Sequence, residues 1–251
     1  MWMTRPKMSR GAGPVGGFTL AELLVAVAVL VILAVLLSPA LSTANETSKA
    51  AVCLGNMHQW GLAISMYCDD YNDSTPLEGV GFPVSGGPNA WYDTVPKYVG
   101  VPSLSALYAA GKPPTPTTKS IFSCPSTTNF PPTAVTDAAP FYMYGMSNRM
   151  DPSGPSTFRR SQSLDPARTI LFCENEGTFS QTNGKYCPAR HSGGSNFVLV
   201  DGHAQWIAFQ DWCRALNPGC TNTTVESDSS TLGDWKKGTK YHWFPFANAP
   251  T

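Results

Sequence analysis

Charge is scarce in this 251-residue sequence: Asp, Glu, Lys and Arg together make up 14% of it, and the formal net charge is zero. No face-forming cluster of Lys and Arg occurs of the kind nucleic-acid binders carry, so nucleic acid is not an expected partner. The short patterns of common enzymes are missing too, among them G-x-S-x-G, H-E-x-x-H and the P-loop. None of the seven cysteines forms a C-x-x-C pair, which argues against a zinc ribbon or a thioredoxin-type redox site. An enzyme is therefore not expected, no residue is assigned as catalytic, and no cofactor is implied. Disulfides in an oxidising compartment are the better reading of the cysteines, with one thiol left over if the others pair. Cys213 and Cys220 are the first candidate pair because they lie close in sequence, although sequence alone does not fix connectivity.

Apolar residues, by contrast, are concentrated in one place. From Phe18 to Leu37 there are twenty residues, of which only Thr19 and Glu22 are clearly polar. About 20 such residues at ~1.5 Å each cross a bilayer. An ionised carboxylate inside the span costs roughly 2.5 kcal/mol or more, so Glu22 needs a partner. Ahead of the run, residues 1–17 hold Arg5, Lys7 and Arg10 and no acid. The remaining 14 basic residues face all 17 acidic ones, a net of −3 beyond that leader. The apolar run is too long for the core of a secretory signal and no A-x-A-like site follows it. The positive leader is expected on the cytoplasmic side, with the bulk of the chain across the membrane.

Gly17-Phe18-Thr19-Leu20-Ala21-Glu22 resembles the cleavage and methylation motif of type IV prepilins and type II secretion pseudopilins. The resemblance implies that residues 1–17 are a leader removed by a prepilin peptidase, which cuts after Gly17 and methylates the new Phe18 amine. Glu22 is then the fifth residue of the mature chain, placed to neutralise the Phe18 amine of a neighbouring subunit, with Thr19 beside it. Pro39 falls where these pilins bend their long helix, since proline removes a helical hydrogen bond. The implied fold is α+β, a long N-terminal transmembrane and stalk helix packed on a small antiparallel β-sheet head. The implied parts are an assembly helix over 18–44, an amphipathic stalk over 45–72 and a head over 73–251. Other pilin or pseudopilin subunits and the inner membrane are the implied partners, and the head would be periplasmic or extracellular.

Past Pro39, Ala50, Cys53 or Leu54, Met57, Trp60, Ile64, Tyr67 and Tyr71 recur at spacings of three and four, the mark of a helix with one apolar stripe. Gly61 weakens that helix by about 1 kcal/mol against Ala without ending it. The first head segment is rich in turn formers, with seven prolines between residues 111 and 140, so irregular structure is expected there. Strands are expected over Thr169–Cys173, Phe197–Val200 and Ala204–Phe209, the last two joined at Asp201-Gly202, a dipeptide suited to a two-residue type I′ turn. Gln210–Leu216 could be a short helix. Trp235, Trp243, Phe244 and Phe246 are expected to pack back on the sheet.

His191, nine intervening residues and Asp201-Gly202 resemble the His-x(9)-Asp-Gly element near the C-terminal end of planctomycete-type prepilin-like proteins. The stretch Cys53–Ala63, together with Tyr67, Asp70, Pro76, Phe122-Ser123-Cys124-Pro125-Ser126 and Tyr144-Gly145-Met146-Ser147-Asn148, resembles the same group. His191 and Asp201 invite a catalytic or metal reading, since His and carboxylate are common ligands; the plainer reading of the residues is that Asp201 serves the turn and His191 hydrogen-bonds beside the hairpin. His58, His203 and His242 have no ligand-like neighbours at helical or strand spacing.

Calcium comes into question because major pseudopilins bind it in a head loop. The densest acidic stretch, Asp69-Asp70-Tyr71-Asn72-Asp73, lacks the glycine and glutamate of an EF-hand. Acids at a helix C-terminus oppose its dipole, so either the helix stops there or a cation lies close by. Asp228 and Asp234 are a weaker alternative, and no residue is assigned to a metal. Two main functions stay open, with an anchored hydrolase a lesser third: a subunit of a pseudopilus or type IV pilus-like filament, and a monomeric anchored module whose head binds a ligand through exposed aromatics such as Trp91 and Tyr92.

Overall fold

The computed structural model describes residues 17–79, 90–131, 135–148, 150, 158–182, 187–212 and 240–243. Residues 1–16 of the leader, the Cys213 and Cys220 pair, Asp228, Asp234, Trp235, Phe244 and Phe246 lie outside them. The chain divides into two compact units, Met1–Asn45 and Glu46–Thr251.

Helix α1 spans Leu20–Asp70 and continues through Pro39. In the first unit it is built of leucine, valine and alanine, and every residue from 17 to 45 is exposed. By length and composition it is a helix that could cross a membrane. Its remainder, in the second unit, buries one stripe through Cys53, Met57, Trp60, Ile64 and Tyr67. The expected spacing thus reaches the core, except at its end: Tyr71 is 45% exposed and stacks on Tyr67 with ring centroids 4.2 Å apart. The helix stops because Asn72 and Asp73 adopt left-handed φ of 54° and 67°, and the Asp73 amide turns back to the Cys68 carbonyl at 2.8 Å.

Two short helices follow, α2 (Trp91–Thr94) and α3 (Leu104–Ala109). Among the described residues no helix or strand of more than an isolated bridge lies between Ala109 and Tyr142, as the prolines lead one to expect. Five strands then form one sheet: β1 (Tyr142–Ser147), β2 (Ile170–Gly177), β3 (Gln181–Thr182), β4 (Gly194–Leu199) and β5 (Ala204–Ala208), in the order β3-β1-β2-β4-β5. A last turn of helix, α4, covers Phe209–Trp212.

The head is α+β, but its sheet is mixed rather than antiparallel: β3 runs parallel to β1 while the other three pairings are antiparallel. The cause is the connection after β2. Asn175 donates to the Phe179 carbonyl at 2.7 Å and Trp91 donates to the Ser180 carbonyl at 2.9 Å. Held there, the chain lays Gln181 and Thr182 along the free edge of β1.

β1 and β4 are buried at every residue and β2 at its first six, so both faces of the sheet are covered. Leu171, Phe172, Val198 and Val200 join the α1 stripe, where Trp60 meets Trp91 and Phe122 at centroid distances of 5.1 Å. Ile170, Cys173, Phe197 and Leu199 form a second cluster with Trp212 and Trp243. Trp243 therefore packs back as expected, and His242 bridges Thr169 in parallel beside β2. Burying each such aromatic contributes up to roughly 3 kcal/mol.

The turn at Asp201-Gly202 differs from the expected two-residue type I′ form. Leu199 accepts from the Gly202 amide at 2.9 Å and donates to the His203 carbonyl at 3.0 Å, which encloses three residues, Val200 to Gly202. Only Gly202 among them has positive φ, at 91°, whereas type I′ requires two such residues. The helix explains the choice. A Cβ on Gly202 would stand 2.5 Å from Ser65 Oγ, and one on Gly61 would stand 2.4 Å from the Gly202 carbonyl. Gly61, which looks like a weak point of the helix, is where the turn docks on it.

Candidate functional site

At the N-terminus, Gly17, Phe18 and Thr19 precede the helix in non-helical conformation, and Phe18 is 90% exposed. Nothing lies within 4 Å of where a Gly17 side chain would be. Thr19 and Glu22 form a reciprocal cap: Glu22 accepts from the Thr19 amide at 2.8 Å and from its hydroxyl at 2.9 Å, and the Glu22 amide donates to Thr19 Oγ1 at 3.3 Å. Thr19 thus has a structural job that the sequence motif alone did not reveal. Both side-chain contacts use Oε2 of Glu22, and among the described residues none donates to Oε1. Pro39 lies inside α1, and its carbonyl accepts from the Thr43 hydroxyl at 3.1 Å.

The head places His191 and Asp201 at opposite ends of β4, about 20 Å of strand apart at ~3.3 Å per residue. They do not meet. Asp201 Oδ1 accepts from the His203 amide at 3.1 Å and lies 2.6 Å from its ring Nδ1, so the aspartate braces the turn. His191 is instead buried, with its Nε2 2.7 Å from Glu174 Oε1.

Glu174, on β2, is fully buried and surrounded by donors. Its Oε2 accepts from Ser195 Oγ at 2.8 Å and the Asn196 amide at 3.2 Å; its Oε1 accepts from Asn196 Nδ2 at 2.9 Å. Burial alone would push the carboxyl up. The hydrogen bond with His191, the nearby Arg190 guanidinium and the Asn196 amide outweigh it and hold Glu174 below its ordinary value. Arg190 is itself fixed by donating to the Asn175 carbonyl at 2.8 Å.

A disulfide joins Cys53 on α1 to Cys124 in the proline-rich segment, with Cα atoms 5.3 Å apart and a sequence separation of 71. It borders the same cluster: Cys124 Sγ is 3.8 Å from His191 Nε2 and 4.0 Å from Glu174 Oε1. One donor atom from each of Cys53, Cys124, Glu174 and His191 lies within 4.8 Å of the others, and all four residues are buried. Asn56 and Trp60, neighbours of Cys53 on the helix, donate to the Ser123 and Ile121 carbonyls at 2.8 and 2.9 Å and so seat the Cys124 segment on α1.

Sequence reasoning had Cys53 as an apolar stripe position and His191 as a hairpin residue, and missed Glu174 altogether. A carboxylate closing an apolar strand reads as a solvent-facing end, and no spacing rule links residues 53, 124, 174 and 191. Trp91 and Tyr92 are corrected outright. They are 1% and 0% exposed, locked in the aromatic core, and offer no surface to a ligand. In the acidic stretch both offered explanations hold. The helix ends at Asp70, and Arg160 binds Asp69 at 2.6 Å and Asp73 at 2.8 Å. Asp70 accepts from the Tyr98 hydroxyl at 2.7 Å, so all three carboxylates have protein donors.

Comparison with known protein families, with curated proteins and with solved structures finds no match to this chain.

Proposed function

We propose that this chain is a prepilin-like subunit, cut after Gly17, methylated at Phe18 and assembled through α1 into a pseudopilus or type IV pilus-like filament. The observation that carries the reading is the exposure of α1 from Leu20 to Asn45 on all sides, next to a second half that is amphipathic and serves the head. A helix apolar all round requires an apolar surrounding all round. Lipid provides it before assembly, and the same helices of neighbouring copies provide it in a filament core. The exposed Gly17-Phe18 bond just ahead of a capped helix start suits recognition by a peptidase, and Glu22 Oε1 suits the methylated amine of a neighbour. A charge pair is far cheaper to bury than a lone carboxylate. The leader stays cytoplasmic, the helix passes the inner membrane once, and the head works outside the cytoplasm, where a Cys53–Cys124 disulfide persists.

Cross-linking in native membranes tests assembly. A ladder of multimers for the wild-type chain, collapsing to monomer for Glu22→Ala, is the expected result. A wild-type chain that stays monomeric would point to the anchored binding module instead.

A further inference from the structure

The carboxylate and imidazole beside the Cys53–Cys124 bridge need a reason. A neutral disulfide gains nothing from a buried Glu and His, and well-packed apolar side chains in their place are often as stable. We propose that, with the two cysteines reduced, the head binds one zinc ion through Cys53 Sγ, Cys124 Sγ, His191 Nε2 and Glu174 Oε1, and that metal and disulfide are alternative occupants of one site.

Four donors is the number a closed structural zinc site uses, and thiolate, imidazole and carboxylate are all zinc ligands. Their positions are close to what a tetrahedron needs. Zinc–ligand bonds of about 2.0–2.3 Å put sulfur roughly 3.6 Å from a nitrogen or oxygen donor and roughly 3.8 Å from a second sulfur. Cys124 Sγ already lies 3.8 Å from His191 Nε2 and 4.0 Å from Glu174 Oε1. Cys53 Sγ lies within 4.8 Å of both; parting the two sulfurs, bringing Cys53 Sγ to roughly 3.6 Å from the other two donors and widening the 2.7 Å His191–Glu174 contact by about 0.6 Å complete the set.

The surroundings suit an ion as well. Ser195 Oγ and the Asn196 backbone amide hold Glu174 Oε2, and Asn196 Nδ2 holds Oε1 beside the other donors, the outer-shell arrangement that orients a ligating carboxylate. Two thiolates and one carboxylate around a divalent ion leave one negative charge, which the nearby Arg190 guanidinium offsets.

Both transformations balance. Zinc entering the reduced site displaces the two thiol protons and forms two Zn–S bonds, with the remaining His191 proton on Nδ1. Exchange with a small-molecule or protein disulfide then breaks both Zn–S bonds and forms the Cys53–Cys124 bond. Two electrons pass to the oxidant, which leaves as two thiolates, and Zn²⁺ is released.

The test uses the full chain in detergent, reduced with a phosphine and titrated with Zn²⁺ and, as a spectroscopic probe, Co²⁺. One metal per reduced chain, with thiolate-to-cobalt charge-transfer absorption, and none for the oxidised chain is the expected result. X-ray absorption of the zinc-loaded wild type should show two sulfur and two nitrogen or oxygen neighbours, a readout that needs no variant to fold. His191→Ala should weaken binding at least about tenfold, while Cys213→Ser with Cys220→Ser should leave it unchanged. A reduced chain that keeps its far-ultraviolet circular dichroism yet takes no metal overturns the proposal. So does a shell of four sulfurs or of oxygens alone, or absorption that survives Cys124→Ser.

Discussion

From Leu20 to Asn45, α1 presents leucine, valine and alanine on every side and buries none of them; from Glu46 to Asp70, the same helix buries one stripe and leaves Gln59, Leu62 and Asp69 outside. The backbone is helical throughout, so the difference lies wholly in what the side chains require. The second half has its partner within the chain, a sheet and an aromatic cluster around Trp60. The first half has none among the described residues, and the proposed membrane span and assembly face is that half. Helix periodicity is informative where a helix has one partner; where the whole circumference is apolar, composition takes over from periodicity.

The largest expected effects separate the halves from the head side. Glu174→Gln should destabilise the head by about 3–5 kcal/mol, because a neutral amide, itself half donor, replaces a carboxylate that faces several buried donors. Denaturant unfolding followed by tryptophan fluorescence, on the full chain in detergent, measures it. The same variant tests the pH response. Since folding holds Glu174 below its unfolded value, its contribution is full above about pH 4.5 and is lost as pH falls through the lowered folded value. The wild type should lose stability along that acid limb, and Glu174→Gln should lose less.

Cys124→Ser should cost about 4 kcal/mol, the loop-closure entropy of a 71-residue separation. Neither head substitution should alter membrane insertion. Leu30→Lys should do the reverse, weakening insertion by about 3 kcal/mol while leaving the head's denaturation midpoint in place. A shift of the midpoint would break the comparison.

The smallest pair of effects is opposite in sign within the amphipathic half. Gly55 has nothing within 4 Å of an added Cβ, so Gly55→Ala should stabilise by about 1 kcal/mol. Gly61→Ala drives its Cβ against the Gly202 carbonyl and should destabilise by about 1–3 kcal/mol. Equal effects at the two positions would mean the hairpin does not sit on the helix as described.

Much of this arrangement was legible in the sequence because it rests on local pattern. The apolar run, the stripe from Cys53 to Tyr67, the cores of β2, β4 and β5 and the proline-rich irregular segment all follow from spacing or composition. What escaped depends on contacts between distant segments. β1 has no alternation because both its faces are covered, and Gly145 interrupts its apolar residues. The three-residue turn at Gly202 is dictated by Ser65 and Gly61 rather than by its own dipeptide. The cluster of Cys53, Cys124, Glu174 and His191 comes from four separate segments, and only the packing of α1 on the sheet brings them together.

Intact-mass and N-terminal mass spectrometry of the protein from its native membrane tests the central claim most directly. A chain that begins at N-methylated Phe18, with residues 1–17 lost, is the expected result and marks it as a processed assembly subunit. A chain that still begins at Met1 would contradict the account, and α1 would then be an anchor and nothing more.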